Sequence, residues 1–213
     1  MYRMNILILF AHPALEKSRV HRRLAAAVRG LPGVTFHDLY EAYPDFDVDV
    51  RREQELLTAH DVVVVQHPFY WYSTPALVKQ WEDLVLEHGW AYGREGKALH
   101  RKYWLSAITT GGPEAAYQSG QLNRFSIREL LAPLEQTARL CGMPFLPPFV
   151  VHGTHRLQPF EIDQACADYR RTIEGLRDGT LDLDAAQQFP RLNSNLDAIL
   201  RTPGSNGITG DAR

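Results

Sequence analysis

The chain has 213 residues, of which 45% are hydrophobic and 23% are charged, and its formal net charge is -2. This length fits a single large domain, and the nearly neutral charge excludes broad electrostatic attraction to nucleic acid or anionic lipid, so we expect no nucleic-acid partner. The apolar run at residues 6–10 is too short for a signal-peptide core and no later run approaches membrane-spanning length, which predicts a cytoplasmic protein.

Five short apolar runs, rich in β-branched or aromatic residues, predict β-strands at residues 6–10, 34–36, 62–65, 103–108 and 145–151. The first, third and fourth runs show little alternation with polar residues, as is typical of parallel strands that are covered on both faces. Helical patterns fill the intervals between the runs. The order of elements therefore predicts an α/β fold with a doubly wound sheet.

Apolar residues recur at helical spacing between these strands. The two clearest predicted faces consist of Val20, Leu24, Ala27 and Leu31, and of Leu77, Trp81, Leu84 and Val85. Pro75 fits the first turn of the second helix, where Ser73 or Thr74 would cap the free amides. Gly30 and Gly142 fit helix ends.

The C-terminal part begins with an amphipathic helix at about residues 161–176. After Pro190 the chain is rich in proline, glycine, asparagine and serine, a composition that packs poorly. We therefore expect a domain at residues 1–189 and a flexible tail at residues 190–213. In such a fold, chemistry is expected in the loops at the carboxyl ends of the strands.

The loop after the first strand, residues 11–20, leads into a helix whose first amides form a natural phosphate site. Ser18 adds a hydroxyl donor there. The loop contains neither GxGxxG nor GxxxxGK[ST], which excludes the dinucleotide fingerprint and the P-loop. The alternative is structural, with Ser18 as a helix N-cap and His12 as a turn residue.

The loop after the third strand contains the consecutive aromatic residues Phe69, Tyr70, Trp71 and Tyr72. Aromatic side chains at a strand end are costly unless something covers them. Flavin offers a large aromatic face and a polar edge, which match aromatic side chains and nearby amides. An aromatic minicore or a dimer contact would also cover these residues.

The fourth strand is followed by Thr109, Thr110, Gly111 and Gly112. Two glycines let main-chain amides approach a ligand closely. Amide donors at the polar edge of a flavin would stabilise the negative charge that develops on two-electron reduction. As an isolated motif, this sequence is also typical of a simple turn.

Residues 6–169 contain several short motifs, each of which occurs once: Leu39-Tyr40, Tyr43-Pro44-Asp45-Phe46, Gln66-His67-Pro68, Trp71-Tyr72-Ser73, Gly89-Trp90-Ala91-Tyr92-Gly93 and Leu122-Asn123-Arg124. With the three loops, they resemble the flavodoxin-like NAD(P)H:quinone oxidoreductases, and more narrowly the ancillary proteins of glutathione-regulated potassium-efflux systems. The resemblance implies that residues 1–189 form a flavodoxin-like, flavin-binding three-layer sandwich with a five-stranded parallel sheet in the order 2-1-3-4-5.

The resemblance also implies roles for individual residues. The ribityl phosphate would be held by His12, Ser18, Arg19 and Val20, the isoalloxazine ring flanked by Phe69, Tyr70, Trp71 and Tyr72, and its polar edge met by Thr109, Thr110, Gly111 and Gly112. Tyr92 would come from the partner subunit and cover the substrate pocket, which Asn123 would line. Tyr117 matches a catalytic tyrosine that hydrogen-bonds the flavin and acts with a nearby histidine to balance charge as hydride arrives.

The implied assembly is a homodimer with one flavin per subunit, bound in the crevice where the strand order reverses. FMN is the expected cofactor and FAD the alternative. The resemblance implies that NAD(P)H donates hydride to the flavin and that a quinone-like small molecule accepts it, by a ping-pong mechanism.

The sequence departs from this resemblance beside Tyr117. No histidine follows before His152, and the amides within residues 118–123 cannot become cations near neutral pH. Two functions therefore stay open. The first is a flavin-dependent NAD(P)H:quinone oxidoreductase. The second is a regulatory flavoprotein that binds and activates a potassium/proton antiporter with little turnover, at the inner face of the cell membrane through that partner.

Two other classes fit poorly. A phosphoacceptor receiver domain needs clustered acidic residues at strand ends, and residues 5–13 contain none. A metal site built on His152 and His155 is also weak, because two histidines in a turn without positioned carboxylates or thiols are usually surface residues. We therefore expect no bound metal.

Overall fold

The computed structural model describes residues 3–201, and its central element is a parallel β-sheet. The strands are β1 (Ile6–Phe10), β2 (Val34–Asp38), β3 (Val62–Pro68), β4 (Tyr103–Thr109) and β5 (Phe149–Val151). They lie in the order β2-β1-β3-β4-β5, and every neighbouring pair is parallel. The predicted flavodoxin-like α/β fold with strand order 2-1-3-4-5 is confirmed.

The last strand is shorter than the run at residues 145–151 predicted. Phe145 forms only an isolated bridge with β4, and the continuous ladder begins at Phe149. Pro147 and Pro148 lie between these positions. Proline lacks the N–H group that a ladder requires, so the strand is interrupted there.

The helices, in chain order, are α1 (His21–Val28), α2 (Leu39–Ala42), α3 (Val50–Ala59), α4 (Ala76–Val85), α5 (Ile127–Leu130), α6 (Ala132–Leu140), α7 (Pro159–Arg177), α8 (Leu183–Ala186) and α9 (Leu196–Ile199). Helices α1 and α7 pack on one face of the sheet, and α3, α4 and α6 on the other. Short 3-10 turns lie at Leu15–Lys17, Glu114–Ala116 and Leu192–Ser194. Within residues 3–201, no helix is both long and apolar enough to cross a membrane.

Two residues of the predicted apolar faces do not lie on them. Ala27 is only half-buried, while Ala25 and Val28 complete the buried face of α1. Leu84 is 38% exposed, although its neighbour Val85 is fully buried. The other members of both predicted faces are buried, so the helical periodicity located the faces and missed their edges.

The two helix ends predicted at glycine are confirmed, whereas the hydroxyl cap predicted for α4 is absent. Gly30 and Gly142, just after α1 and α6, have φ of 77° and 73°, which confirms both as left-handed helix ends. Neither Ser73 nor Thr74 caps α4. The N-cap is Pro75, which makes no side-chain hydrogen bond, so the predicted cap was wrong.

The tail predicted from residue 190 onward was wrong for residues 190–201. Leu192, Leu196 and Ile199 are buried against side chains of α7 and of the sheet. This segment therefore belongs to the same core as the rest of the domain. The remainder of the predicted tail, residues 202–213, lies outside the described residues.

A buried carboxylate ties α3 to neighbouring elements. Glu53 is fully buried. Its carboxylate accepts hydrogen bonds from His37 Nε2 at 2.8 Å, the Tyr43 hydroxyl at 2.5 Å and Trp81 Nε1 at 2.8 Å. Burial raises the pKa of this carboxyl, but the three hydrogen bonds outweigh burial and leave the pKa below its usual value. Glu53 therefore stays ionised inside the fold.

Replacing Glu53 by Gln is expected to lower the free energy of unfolding by about 3 kcal/mol at pH 7, because one amide oxygen cannot serve three donors. The stabilisation by the ionised carboxylate is fully present above its ordinary pKa of 4.5 and is lost as the pH falls through the lower pKa of the folded protein. Urea denaturation between pH 3 and pH 7, expressed as a difference from the variant, measures this loss.

The matched control is Glu55→Gln on the exposed side of the same helix, which should change the free energy of unfolding by less than about 0.5 kcal/mol. Equal effects of the two substitutions at pH 7 would contradict the assigned role of Glu53.

Candidate functional site

The carboxyl ends of β1, β3 and β4 bring three loops to one edge of the sheet, because neighbouring parallel strands end on the same side. Between these loops lies a cleft of about 360 Å³, named cleft 1. Its lining includes eight of the residues for which the sequence predicts ligand contacts: His12, Ser18, Arg19, Val20, Phe69, Tyr70, Thr109 and Gly111.

One end of cleft 1 is basic and carries a hydroxyl group, with Lys17 and Arg19 flanking Ser18. The Ser18 hydroxyl oxygen accepts the N–H of His21 at 3.0 Å, as a helix N-cap does. Arg19 donates to the Leu157 carbonyl oxygen at 3.0 Å. The Ser18 side chain thus accepts a hydrogen bond from a free amide at the start of α1, although the N-cap position is held by Val20, which makes no side-chain hydrogen bond. This bond uses only the oxygen of Ser18 as an acceptor, so the hydroxyl proton can still be donated to an anion.

His12 closes the strand end of the same loop. It is almost fully buried, and its Nδ1 accepts the N–H of Ala14 at 3.1 Å. Burial lowers the pKa of His12, and the nearby carboxylate of Glu16 acts in the opposite direction. Neutral His12 therefore shapes the loop and adds no fixed positive charge to the cleft.

A buried polar network that the sequence did not predict lies beneath cleft 1. His21 is fully buried, and its Nε2 lies 3.0 Å from the Thr109 hydroxyl oxygen. Its Nδ1 lies 3.4 Å from the Gln66 side-chain nitrogen, and the Gln66 side-chain oxygen accepts the Tyr169 hydroxyl at 2.9 Å. Burial and two neighbouring histidines lower the pKa of His21 well below its usual value. Neutral His21 thus holds Thr109 in place from below.

The aromatic residues after β3 form a tight turn with an uncommon backbone. Ser73 donates its N–H to the Tyr70 carbonyl oxygen at 3.0 Å, and the two central residues, Trp71 and Tyr72, have φ of 51° and 63°. This is a type I′ geometry, which asparagine and glycine favour. A bulky residue at positive φ costs about 1–2 kcal/mol. Trp71 is 93% exposed, so its own contacts do not offset that cost.

Hydrogen bonds join the loop after β4 to the loop after β5. Gly153 donates its N–H to the Gly112 carbonyl oxygen at 2.9 Å, and Thr154 donates to that of Thr110 at 3.0 Å. The Thr110 hydroxyl donates to the Gly112 carbonyl oxygen at 2.8 Å and lies 3.0 Å from His152 Nδ1. These bonds fix the conformation of the glycine pair that the sequence singled out.

A second cleft of about 300 Å³, named cleft 2, shares the lining residue Phe69 with cleft 1. It is lined by Phe69, Trp71, Tyr72, Gly112, Tyr117, Leu122 and Asn123. The Tyr72 hydroxyl donates to Asn123 Oδ1 at 3.1 Å. A Cβ at Gly112 would lie 3.3 Å from the Tyr117 ring, so glycine there lets Tyr117 approach the loop. The predicted catalytic and pocket residues Tyr117 and Asn123 therefore share one cleft.

A histidine does accompany Tyr117, although it comes from a distant part of the chain. His152 follows β5, and its ring centroid lies 5.6 Å from that of Tyr117. Burial lowers the pKa of His152 to about 4, with Arg191 adding to this effect and Glu114 opposing it. Burial raises the pKa of Tyr117, while a hydrogen bond with Thr110 acts in the opposite direction. Both rings are therefore neutral near pH 7.

The sequence predicts that both histidines of the loop after β5 are surface residues, and the structure separates them: His155 is exposed and lines cleft 1, whereas His152 is half-buried and packs on Tyr117. His155 lines cleft 1 together with Thr154. A Cβ at Gly111 would lie 2.9 Å from His155 Nε2, so this close approach is possible only because residue 111 is glycine. Among the described residues, no group of three or more His, Cys, Asp or Glu side chains is arranged to hold a metal ion.

Tyr92 lies in a separate cavity of about 370 Å³ beside α4 and α6. Its ring meets that of His88 edge-on, with centroids 5.4 Å apart. Phe69 and Tyr72 also line this cavity, so Tyr92 reaches the aromatic turn of its own chain. Its contribution to the substrate pocket of a partner subunit stays a prediction.

Comparison with known proteins gives a consistent result. Residues 4–174 match the protein family described as having a flavodoxin-like fold, a span that includes all five strands and all three ligand loops. The glutathione-regulated potassium-efflux system ancillary protein KefG of Enterobacter sp. (strain 638) is 49% identical over 155 residues, which are 73% of this chain and 85% of that relative.

Two solved structures extend the comparison. General stress protein 14 of Treponema denticola, in complex with FMN, is 39% identical with a TM-score of 0.77, and the match covers 81% of this chain and 99% of that one. An NADPH-quinone reductase from P. pentosaceus is 35% identical with a TM-score of 0.73, covering 79% of this chain and 97% of that one.

The strained turn yields a test of whether its aromatic residues are retained for a ligand. Trp71→Asn should raise the free energy of unfolding of the ligand-free protein by about 1 kcal/mol, because asparagine tolerates positive φ. Thermal and urea denaturation measure the change. Leu122→Asn is the matched control, since Leu122 is 86% exposed and its φ is not positive, and it should leave stability nearly unchanged. A loss of stability in Trp71→Asn would show that the tryptophan supports the fold instead.

Proposed function

The chain belongs to the Flavodoxin_2 family, whose members have a flavodoxin-like fold, and we propose that it is an FMN-dependent NAD(P)H oxidoreductase that delivers hydride to a quinone-like acceptor. The observation that supports this most strongly is that the two clefts share the lining residue Phe69. One cleft has a basic, hydroxyl-bearing end, and the other has aromatic walls and a tyrosine. A ligand with a phosphate at one end and a flat ring at the other matches both.

The basic end fits a phosphate monoester. Lys17 and Arg19 supply positive charge, and the free proton of the Ser18 hydroxyl supplies a donor. The N-terminal turn leading into α1 adds main-chain amides. His12 and Val20 line the same part of the cleft and form its uncharged walls. This end would hold the phosphate of FMN.

The other end fits an isoalloxazine ring. Phe69, Tyr70, Trp71 and Tyr72 offer aromatic and amide groups along one side of the clefts. Thr109, Gly111 and Gly112 also line the clefts, and the two glycines leave their main chain uncovered by side chains. The Thr109 and Thr110 hydroxyls are held by His21 and His152. Polar ring atoms would therefore meet main-chain donors in a fixed arrangement.

FMN is favoured over FAD because general stress protein 14 of Treponema denticola is described in complex with FMN. Bound flavin supplies the capacity to take hydride from NAD(P)H and to pass it to a quinone. NADPH and quinone are the substrates in the name of the P. pentosaceus reductase. The donor and acceptor proposed for this chain follow that name.

Tyr117 is the residue of this chain that we assign to charge stabilisation at the reacting centre. Its hydroxyl keeps its proton at pH 7, because the ordinary pKa of a tyrosine is already 10 and burial raises it further. It can therefore donate a hydrogen bond to an oxygen that gains negative charge. The ring of His152 packs beside it, and with a pKa lowered to about 4 this histidine would support Tyr117 by contact without supplying a positive charge. Asn123 offers a further polar contact to an acceptor in cleft 2.

We also propose a homodimer in which Tyr92 of the partner subunit covers cleft 2. Among the described residues, Trp71 and Leu122 on the rim of that cleft are 93% and 86% exposed. Apolar side chains that are this exposed gain from being covered by a ligand or a second chain. Sedimentation velocity at two protein concentrations tests the dimer.

A visible absorption spectrum of the purified protein tests the proposed reaction. Flavin bands should be present, should bleach under anaerobic NADPH, and should return when a quinone is added. Absence of flavin after reconstitution with FMN and FAD would overturn the proposal. Bound flavin that stays oxidised with both NADPH and NADH would remove the reductase and leave flavin binding.

Variants of Ser18 separate its two roles. Ser18→Asp keeps a side-chain acceptor for the N-cap but places a negative charge in the basic end, so the FMN Kd should rise about tenfold or more at nearly unchanged stability. Ser18→Ala should lower the free energy of unfolding by about 1 kcal/mol through loss of the cap. FMN fluorescence quenching and urea denaturation give both quantities.

Ser126→Ala is the control for the loss of a cap, since Ser126 caps α5 outside both clefts and should leave the FMN Kd unchanged. Unaltered FMN affinity in Ser18→Asp would place the phosphate elsewhere.

A second candidate function rests on the 49% identity with the KefG protein of Enterobacter. In this role the chain is a flavoprotein that binds and activates a potassium/proton antiporter at the inner face of the cell membrane. The oxidoreductase and the regulator are compatible. Co-purification with the antiporter, and potassium efflux from cells that express it with and without the chain, test the second role. An efflux rate that the chain does not change would exclude it.

A further inference from the structure

The last part of the described chain lies outside the family match. That match ends at residue 174, while the described structure continues to residue 201. General stress protein 14 of Treponema denticola aligns over 99% of its own chain and 81% of this one. Residues 182–201, named the C-terminal brace, lie outside the residues that the family model matches.

The two ends of the brace contact each other, and its middle packs into the core of the domain. The N–H of Asp182 bonds to the Ile199 carbonyl oxygen at 2.7 Å, and its carboxylate pairs with Arg201 at 2.7 Å. Leu192 and Leu196 are buried in the core cluster that contains β1, β5 and α7. These contacts fix the path of the brace across the sheet edge.

The brace covers the free edge of β5. Asn193 Oδ1 accepts the Val150 N–H at 3.0 Å, and Asn193 Nδ2 donates to the Val150 carbonyl oxygen at 2.8 Å. Leu192 donates its N–H to the Pro148 carbonyl oxygen at 2.9 Å. One side-chain amide thus replaces a neighbouring strand at this edge. Val150 is two residues before His152, so the brace supports the segment that carries that histidine.

The brace also reaches the turn that carries Tyr117. Arg191 pairs with Glu114 at 2.8 Å. Glu114 opens the 3-10 turn Glu114–Ala116, after which Tyr117 follows directly. The Arg191 side chain is 21% exposed, whereas that of Glu114 is 55% exposed, so the arginine is the more firmly placed partner. A second hydrogen bond, from Arg191 Nε to Ser194 Oγ at 3.3 Å, keeps the guanidinium on the brace.

We propose that Arg191 is a positioning residue for cleft 2. By pairing with Glu114 it fixes the Tyr117 turn, and with Asn193 it places the ring of His152 against Tyr117. This inference rests on the proposed function of cleft 2 as the acceptor site. It assigns a role in that site to a segment that the family match does not include.

The effect of Arg191 on His152 can be measured in the flavin-free protein, because charged groups near a histidine shift its pKa. Arg191 lowers the pKa of His152 and Glu114 raises it, while the Thr110 hydroxyl and the ring of Tyr117, which also contact His152, are neutral. Arg191→Ala should therefore raise the His152 pKa by about half a pH unit or more, and Glu114→Ala should lower it. NMR titration of the histidine ring signals measures both, with His152→Gln to assign the signal.

A second experiment measures steady-state kinetics with the flavin-loaded protein. Arg191→Ala should raise the KM for the quinone about fivefold or more, because Tyr117 is less well placed, while the FMN Kd should change less, because the phosphate of FMN is held at the basic end of cleft 1. Arg191→Lys should recover part of the effect. The double variant Arg191→Glu/Glu114→Arg re-forms the ion pair with its charges exchanged. Its His152 pKa and its quinone KM should therefore be closer to those of the wild-type protein than in either single variant.

Arg170→Ala is the matched control. Arg170 pairs with Glu174 on α7 at 3.0 Å and is not among the residues lining either cleft. If Arg191→Ala gives the same His152 pKa and the same quinone KM as Arg170→Ala, the proposal is overturned. Should the wild-type protein reduce no quinone, the NMR titration still decides whether Arg191 acts on His152, so the two proposals fail separately.

Discussion

The burial of three central strands on both faces is the constraint from which the rest of the structure follows. The residues of β1 and β3, and those of β4 after Tyr103, have almost no exposed surface. Parallel strands buried in this way must be joined by helices that cross the sheet, so their carboxyl ends meet at one edge. The register pairs Phe10 with Gln66, and Gln66 with Ala107. Loops far apart in sequence therefore converge on two clefts that share Phe69.

The neutral histidines and the positively charged residues have different roles in the site. His12, His21 and His152 all have a lowered pKa because burial disfavours their charged forms. They serve as neutral hydrogen-bond partners that hold the loops. Fixed positive charge is thus left to Lys17 and Arg19 at the basic end of cleft 1. A phosphate and a ring that gains electrons would meet different surroundings, the first charged and the second built from amides and neutral rings.

Local sequence patterns predicted the elements well because each is decided by short-range physics. Apolar runs located the strands, and glycine marked two helix ends at positive φ. The prediction failed where distant residues decide. His152 reaches Tyr117 only through the pairing of β4 with β5, and Leu192 is buried in a segment whose average composition is polar. His21 carried a usable signal, since it shares the spacing of Leu24, Ala25 and Val28 on the buried face of α1.

The site is also where local preferences are overridden. Trp71 and Tyr72 occupy positive φ, and His67 Nε2 is buried without a hydrogen-bond partner among the described residues. Such features persist only if surrounding contacts over-determine them. Around cleft 2 some of those contacts come from the C-terminal brace, through Asn193 on β5 and Arg191 on Glu114. Both residues lie beyond residue 174, where the family match ends. The basic end of cleft 1 is formed by residues 17–19, which lie inside that match, so the two ends of the site are held by different parts of the chain.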